Sequence, residues 1–329
     1  MTGLTLCLAA TIIAAAGMGY LKIPPSEVLT IIMARFTETT HTLNPIHQTV
    51  IMDVRLPRIM TAALVGGGLA MAGAIFQAIL LNPLADPYTL GVSSGAAFGA
   101  SLALIVNLSL PGYFSVPLFA FAGALVAVFS VLNLAASDHS YSANSLILAG
   151  VIISAILSAG IGFIKYLAEE QVSVIIFWLM GSLAARSWLD AGLVLIATIV
   201  TLLAGLYFAR DLNIMSLGLR SSDSLGVNTV RTRKWLLAIA SLVTAASVSV
   251  SGIIGFVGLI IPHLMRFIIG PDNRKLIPAS LLAGAILLLT ADTITRAILP
   301  HEVPIGVLTA LIGGPFFCVI FKQKQLGGR

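Results

Sequence analysis

Charge is what this sequence has least of. Only 9% of its 329 residues are Asp, Glu, Lys or Arg. A soluble domain carries about 25%, so a water-facing surface cannot be assembled from this composition. Cysteine is nearly absent too. Cys7 and Cys318 lie in apolar runs at opposite ends of the chain, with no spacing that suits a metal and no basis for a disulfide. There is no Walker motif, nucleophile elbow or zinc spacing, and the five histidines are scattered. His263, in "IPHLMRF", reads as a packing or interface residue rather than a ligand. Nothing here assembles a catalytic constellation, so the chain does not read as an enzyme and implies no cofactor of its own. The period-two alternation of a membrane barrel, over segments of about 10 residues, is also missing.

What is present is continuous apolar sequence. Hydrophobic residues make up 58% of the chain and the mean hydropathy is +1.03. Apolar runs of about 17–25 residues, the length of a helix crossing a bilayer core, recur throughout. The pattern predicts an all-α polytopic membrane protein, one domain over 1–329. Ten spans are expected, at 4–21, 56–80, 91–108, 116–136, 143–167, 189–209, 234–250, 253–269, 277–298 and 304–321. Residues 172–188 are ambiguous and read as a partial helix leading into the sixth span. The N-terminus has the small-residue run of a signal peptide but no basic n-region, and reads as a retained first helix. With an even number of spans and an inside N-terminus, 11 Lys and Arg face the cytoplasm and 7 face outward. The net charge of +5 therefore reflects basic inner loops rather than nucleic-acid binding, and both termini are expected inside.

Two hydrophilic stretches punctuate the spans. Residues 22–55 begin with a proline pair and predict a short helix on the outer surface. Residues 210–234 form the longest inner stretch, with short amphipathic helices expected to break at Gly218 and Gly226. Within the spans, small residues cluster at 66–73 and 95–100, and small residues let helices approach closely in lipid. They suit either tight packing alone or a sliding contact. Asp292 is the clearest intramembrane acid. It lies four residues before Arg296, facing it on one side of a helix, and reads as a structural pair or as part of an ion path. The segment "QAILLNPLADPYTLGVSSGAAFG" (77–99) breaks the chain twice with proline, since proline disfavours helix at the residue before it. Backbone that leaves helical geometry near a membrane must be buried in protein or line a wet cavity. The segment therefore reads as a shaped loop at a pathway mouth or as an elaborate turn.

These residues also carry a resemblance. "DVRLPRIMTAALVGGGLAMAGAIFQAILLNPLADPYTLGVSSGAAFG", "GFVGLIIPHLMRFIIGPDNRKLIPASLLAGAILLLTADTITR" and "PIGVLTALIGGPFF" resemble, in order and spacing over about 50–321, the FecCD family. Its members are permease subunits of ATP-driven importers for ferric siderophores, haem and cobalamin, and more rarely oxyanions such as molybdate. The resemblance implies a cobalamin-permease-like bundle of ten helices in a bacterial or archaeal cytoplasmic membrane. It implies a homodimer with the pathway on its two-fold axis, two separate ATPase subunits that hold ATP and Mg, and a substrate-binding protein outside. It further implies that Arg55, Arg58 and Arg296, expected as exposed guanidiniums, dock carboxylates of the binding protein. "LGLRSSDSLGV" resembles the family's coupling segment, expected over 211–230, with Leu217, Arg220, Ser221, Asp223, Leu225 and Gly226 meeting the ATPase. Asn82 and Leu84, with Ser142, Ala143 and Asn144 before the fifth span, are placed at a cytoplasmic gate. Ala143 and Asn144 stand where small hydroxyl residues are expected in the cobalamin relative. The competing readings are a carrier driven by an ion gradient, which would want more intramembrane acids than Asp292, and a membrane-embedded enzyme.

Overall fold

The computed structural model describes residues 1–19, 21–37, 44–106, 115–136, 141–169, 172–297 and 302–326. Every regular element among them is helical. In chain order these are α1 (Thr2–Gly17), α2 (Pro25–Thr37), α3 (Pro45–Thr49), a π-helical segment Val50–Arg55, α4 (Leu56–Ile79), a 3-10 turn Pro87–Leu90, α5 (Val92–Val106), α6 (Ser115–Ala135), α7 (Ala143–Leu167), α8 (Val172–Leu179), α9 (Trp188–Tyr207), α10 (Ala209–Met215), α11 (Leu219–Ser224), α12 (Thr229–Ser251), α13 (Val257–Ile269), α14 (Asn273–Ala297) and α15 (Ile305–Leu326).

Six helical stretches are long and apolar enough to cross a membrane: 45–79, 116–135, 143–167, 188–207, 229–251 and 273–297. The expected spans at α1, α5, α13 and α15 are present as shorter apolar helices. The boundaries of α7 coincide with the expected 143–167. The hydrophilic stretch 22–55 divides differently from the expectation. Its first half forms α2, but α3 and the π segment run directly into α4, making one helix of 35 residues. At 1.5 Å per residue that is roughly 50 Å, well beyond a hydrocarbon core of about 30 Å.

The α4 helix is the axis of the bundle, and almost every one of its residues is buried. It is wrapped by α14, α12, α9 and α13. Glycine makes that possible. A Cβ at Gly66 would run into the backbone of Gly284 in α14, and one at Gly73 into the backbone of Gly258 in α13. With no hydrophobic drive between helices in lipid, such close backbone approach is the main source of association. The same device joins α5 to α6, where Gly95 meets Gly123 and Gly99 meets the backbone of Phe119. The clustered small residues thus serve tight packing.

Two connections leave helical geometry inside the bundle. The 3-10 turn after Pro83 buries Pro87 and Leu90 and packs so closely on α7 that Gly150 can carry no side chain beside Thr89. Gly150 lies seven residues into α7, so the connection penetrates about 10 Å from that helix end. The Tyr88 hydroxyl donates to the Ile254 carbonyl at 2.8 Å and accepts from the Ile254 amide at 3.3 Å. Between α4 and α5 the segment 77–99 is therefore a shaped loop, exposed at Leu81 and Leu84 and buried at Pro87 and Leu90, and the buried part of its unusual backbone is satisfied by protein. On the other side, α8 is only 8 residues long. After it, Gly181 turns at φ +75. Ser182 then bonds the Ser251 carbonyl, and Ile305 and Gly306 bond the carbonyls of Gly181 and Met180. Residues 172–188 are thus a helix of eight residues, too short to span a bilayer core alone, and a turn in which Gly181 and Leu183 are buried.

Candidate functional site

The expected site residues fall at two opposite ends of the bundle. The first is the arginine end, where α4 begins and α1 and α14 finish. Arg55, Arg58 and Arg296 meet there, but none is the exposed guanidinium expected from the sequence. Arg55 is 6% exposed. It donates to the Ala16 carbonyl at 2.6 Å and to the Leu21 carbonyl. Arg296 donates to the carbonyls of Met18, at 2.9 Å, and Ala15. The last carbonyls of a helix have no intrahelical partners and lie at the negative end of its dipole. One guanidinium from α14 and one from the last residue of the π segment thus cap the end of α1. That is the physical reason these side chains turn inward.

Arg58 and Asp292 form the core of this end. The Asp292 side chain is 1% exposed, and Arg58 grips both of its oxygens, with Nη2 at 2.9 Å and Nε at 3.1 Å. The i,i+4 partner expected from the sequence is the weaker one, with Arg296 Nε 3.6 Å from Asp292 Oδ2. Arg58 also donates to Glu302 at 3.0 and 3.3 Å, and that carboxylate is 53% exposed. A cavity of about 210 Å³ opens here, lined by Arg58, Asp292, Glu302 and Pro304. Beside it, the Trp188 indole donates to the Met52 carbonyl at 3.1 Å, a carbonyl of the π segment.

The second end, called here the amide end, holds the finish of α4, the start of α7 and the pair α10–α11. In the expected gate, the Asn82 side chain accepts from the Leu84 amide at 2.9 Å, closing an Asx turn. Leu84 is exposed. Ser142 caps α7, accepting from the Ser145 amide at 3.2 Å, with Ala143 as the first helical residue and Asn144 exposed. The capping role explains a hydroxyl at 142, since a helix's first amides need an external acceptor. Both connections therefore rest on the N-terminal turns of α7.

The expected coupling residues form an exposed face. Leu217, Ser221, Asp223, Leu225 and Gly226 are all exposed, whereas Leu212 and Met215 are buried. The side chain of Arg220 lies outside the described residues. The helices break where expected, with positive φ at Gly218 (+100) and Gly226 (+79), a backbone that glycine takes without a Cβ penalty. Ser222 is buried and bonds the carbonyls of Ile214, at 3.1 Å, and Gly218, at 2.7 Å, so α10 and α11 hold together as one piece.

Sequence reasoning missed the residues that fasten this piece to the bundle. Asn213 in α10 donates to Asp272 Oδ1 at 2.7 Å and accepts from the Asn273 amide at 2.9 Å and its side chain at 2.8 Å. With the Asn213 amide and the Arg274 backbone amide donating to it, the Asp272 carboxyl is held below the usual carboxylate range. Arg266 donates to Gln77 at 3.0 Å. "GPDN" (270–273) signals a turn and a helix start, but its partner in α10 lies some sixty residues away and leaves no local mark.

Comparison with known proteins agrees with this architecture. Residues 6–323 match the FecCD transport family. The chain is 41% identical to the cobalamin import system permease protein BtuC of Halobacterium salinarum, over 85% of this chain and 75% of that one. It is 38% identical to the molybdate import system permease protein MolB of Haemophilus influenzae, over 99% and 96%. A solved structure described as an inward-facing, metal-chelate type ABC transporter superposes with a TM-score of 0.84 at 34% identity, covering 98% of each chain. With a match that spans nearly its whole length, the chain belongs to the FecCD transport family.

Proposed function

We propose that this chain is the membrane-spanning permease of an ATP-driven importer that takes a metal chelate of the siderophore, haem or cobalamin class from a binding protein and releases it to the cytoplasm by alternating access. The observation that carries this reading is the exposed α10–α11 face. It is a rigid, partly apolar ledge beside two non-helical connections, which is the form expected of a surface moved by a separate ATPase. ATP and Mg belong to that partner, and this chain supplies no catalysis.

In this reading the chain crosses the membrane ten times, with α1, α5, α13 and α15 joining the six long stretches. The amide end faces the cytoplasm with both termini, and the membrane is the cytoplasmic one. A second copy completes the pathway along α7. Among the six long helices α7 is the least buried, and its exposed side mixes small residues such as Ser158 and Gly162 with Leu148, Ile156 and Phe163. A wide, weakly interacting wall of this kind suits a bulky chelate. Asn82, Leu84, Ser142, Ala143 and Asn144 then form the cytoplasmic gate. The binding protein seats on the arginine end. Arg58 is the guanidinium placed for docking, because a carboxylate from outside can replace the exposed Glu302. Arg55 and Arg296 support it from beneath.

An ion-coupled carrier is the weaker alternative. Asp292 is the buried acid among the described residues, and two arginines hold its charge. The relationship to a molybdate permease supports an oxyanion as the second cargo class. The test is reconstitution of the permease with its ATPase and binding protein in liposomes. Radiolabelled cobalamin, a ferric siderophore, haemin and molybdate are offered in turn, with ATP or with an ion gradient. Accumulation of a chelate that requires ATP is expected. Accumulation driven by an ion gradient without ATP would refute the importer, and ATP-driven molybdate alone would replace the chelate with the oxyanion. A cytoplasm-only reporter inserted near Ser222 or fused after Arg329 should be active, and a periplasmic reporter working at either position would reverse the orientation.

A further inference from the structure

We infer that the amide end contains two polar tethers that carry movement of the α10–α11 ledge to the two gate connections, with Asn213 and Arg233 as the positioning residues. The inference rests on the reading of α10–α11 as the ATPase-facing surface and names the side chains through which that surface acts.

The first tether starts at Asn213. Its amide uses both edges on the α13–α14 corner, donating to Asp272 and accepting twice from Asn273. Both edges satisfied on one partner fix orientation as well as distance, because hydrogen bonds weaken steeply outside a narrow range of length and angle. The corner follows directly on α13, where Arg266 donates to Gln77 Oε1 at 3.0 Å. Gln77 in turn donates to the Leu259 carbonyl at 3.2 Å, so its side chain is held at both ends by α13. The Gln77 carbonyl accepts from the Asn82 amide at 3.2 Å, the start of the first gate connection. Displacement of α10 is thus handed to the corner, to Arg266, and to the last turn of α4 where the connection begins.

The second tether is shorter. Arg233 lies in α12, which follows α11 after a short turn. It is 3% exposed and donates to the Tyr141 carbonyl at 3.3 Å. Tyr141 has φ +46 and precedes Ser142, the cap of α7. The start of α12 therefore holds the second connection through a side chain, as α10 holds the first.

A cavity accompanies this joint, as another accompanies the arginine end. A cavity of about 200 Å³ lies between α10 and the end of α4, lined by Gln77, Asn82, Leu212, Ser216, Arg266 and Asn273. At Gly66 and Gly73, α4 touches its neighbours glycine against backbone. Here the elements stand apart and are joined by directional polar links, a construction that transmits movement without filling the space in which it occurs.

The experiment uses the permease with its ATPase subunits in nanodiscs, in a Cys7→Ser, Cys318→Ser background, with spin labels at Leu84→Cys. Distances between the labels of the two copies are measured by pulsed electron paramagnetic resonance, without nucleotide and after trapping with ADP and vanadate. No substrate is needed. The parent should show a nucleotide-dependent shift. Asn213→Leu should lose at least half of it while the complex still hydrolyses ATP. Asn213→Asp, which sets a second carboxylate against Asp272, should do the same and provides the reading if the leucine variant fails to assemble. Adding Asp272→Asn to Asn213→Asp exchanges the partners and should restore the shift, which a general loss of packing would not allow. A full shift in both single variants would overturn the tether. Absence of any shift in the parent would instead count against the ATP-driven reading itself.

Discussion

The two ends of α4 are fastened in opposite ways. At the arginine end, three guanidiniums and a buried carboxylate bind α1, α4 and α14 through charge. At the amide end, carboxamides, the Asp272 carboxylate and two arginines join the elements by hydrogen bonds, in part across a cavity. A buried ion pair broken on one side leaves an unpaired charge, which costs about 3–5 kcal/mol. A single hydrogen bond contributes about 0.5–1.5 kcal/mol, or about 1.5–3 kcal/mol where one of the groups is charged. The first arrangement resists rearrangement and the second permits it. One end is a clasp, and the other is an articulation.

The largest expected effect follows from breaking the clasp. Asp292→Ala removes the buried counter-charge of Arg58 and Arg296, leaving Arg58 only the exposed Glu302, and should destabilise the detergent-solubilised protein by about 3–5 kcal/mol. Asn213→Ala, which removes one bond to a carboxylate and two neutral ones, should cost less, about 1.5–3 kcal/mol. Paired denaturant unfolding curves read both, and equal losses would erase the distinction between the ends.

An intermediate effect is expected on the ledge. Gly226 has φ +79 with open space around it, whereas proline fixes φ near −65°. Gly226→Pro should therefore reshape the ledge without touching the core, as should Leu225→Asp by placing charge on an exposed apolar residue. We predict at least a tenfold loss of ATP-driven uptake, with insertion and oligomeric mass unchanged by light scattering. Wild-type uptake in both variants would remove α10–α11 from the coupling path.

The smallest effect sharpens the role of the clasp as a docking surface. Reversing Arg55 and Arg58 together, a natural test if they were exposed, now confounds docking with stability, because both side chains are built into the fold. Glu302→Gln is cleaner. It removes the exposed carboxylate that occupies Arg58, and exposed pairs contribute about 0.2–1 kcal/mol. Affinity for the binding protein should rise by up to about fivefold in a titration at low salt. Unchanged or weaker binding would mean that Arg58 is not the receiving group.

The sequence made some of this legible and concealed the rest, for definable reasons. Apolar run length located α7 to the residue, because nothing but lipid-scale hydropathy competes there. The breaks at Gly218 and Gly226 were legible because positive φ singles out glycine. The direction of Arg55, Arg58 and Arg296 was not. An arginine at a helix end reads as exposed until the unpaired carbonyls of another helix are placed beside it, and α1 and α14 are separated by more than 250 residues. Asp292 was paired with Arg296 because i,i+4 is visible in one helix, whereas the Arg58 partner comes from another. The continuity of α3 with α4 was hidden by polar residues in 44–55, which lie beyond the apolar stretch. The tethers at Asn213 and Arg233 gave no signal, since a single polar side chain on a short helix resembles any solvated position.

The contrast between clasp and articulation is tested most directly by hydrogen–deuterium exchange of the full complex in nanodiscs, with and without ADP-vanadate trapping. Trapping should change exchange in residues 80–91, 141–146 and 209–228, and leave 52–60 and 290–297 unaltered. Changes concentrated at the arginine end, with the amide end unaffected, would contradict the account.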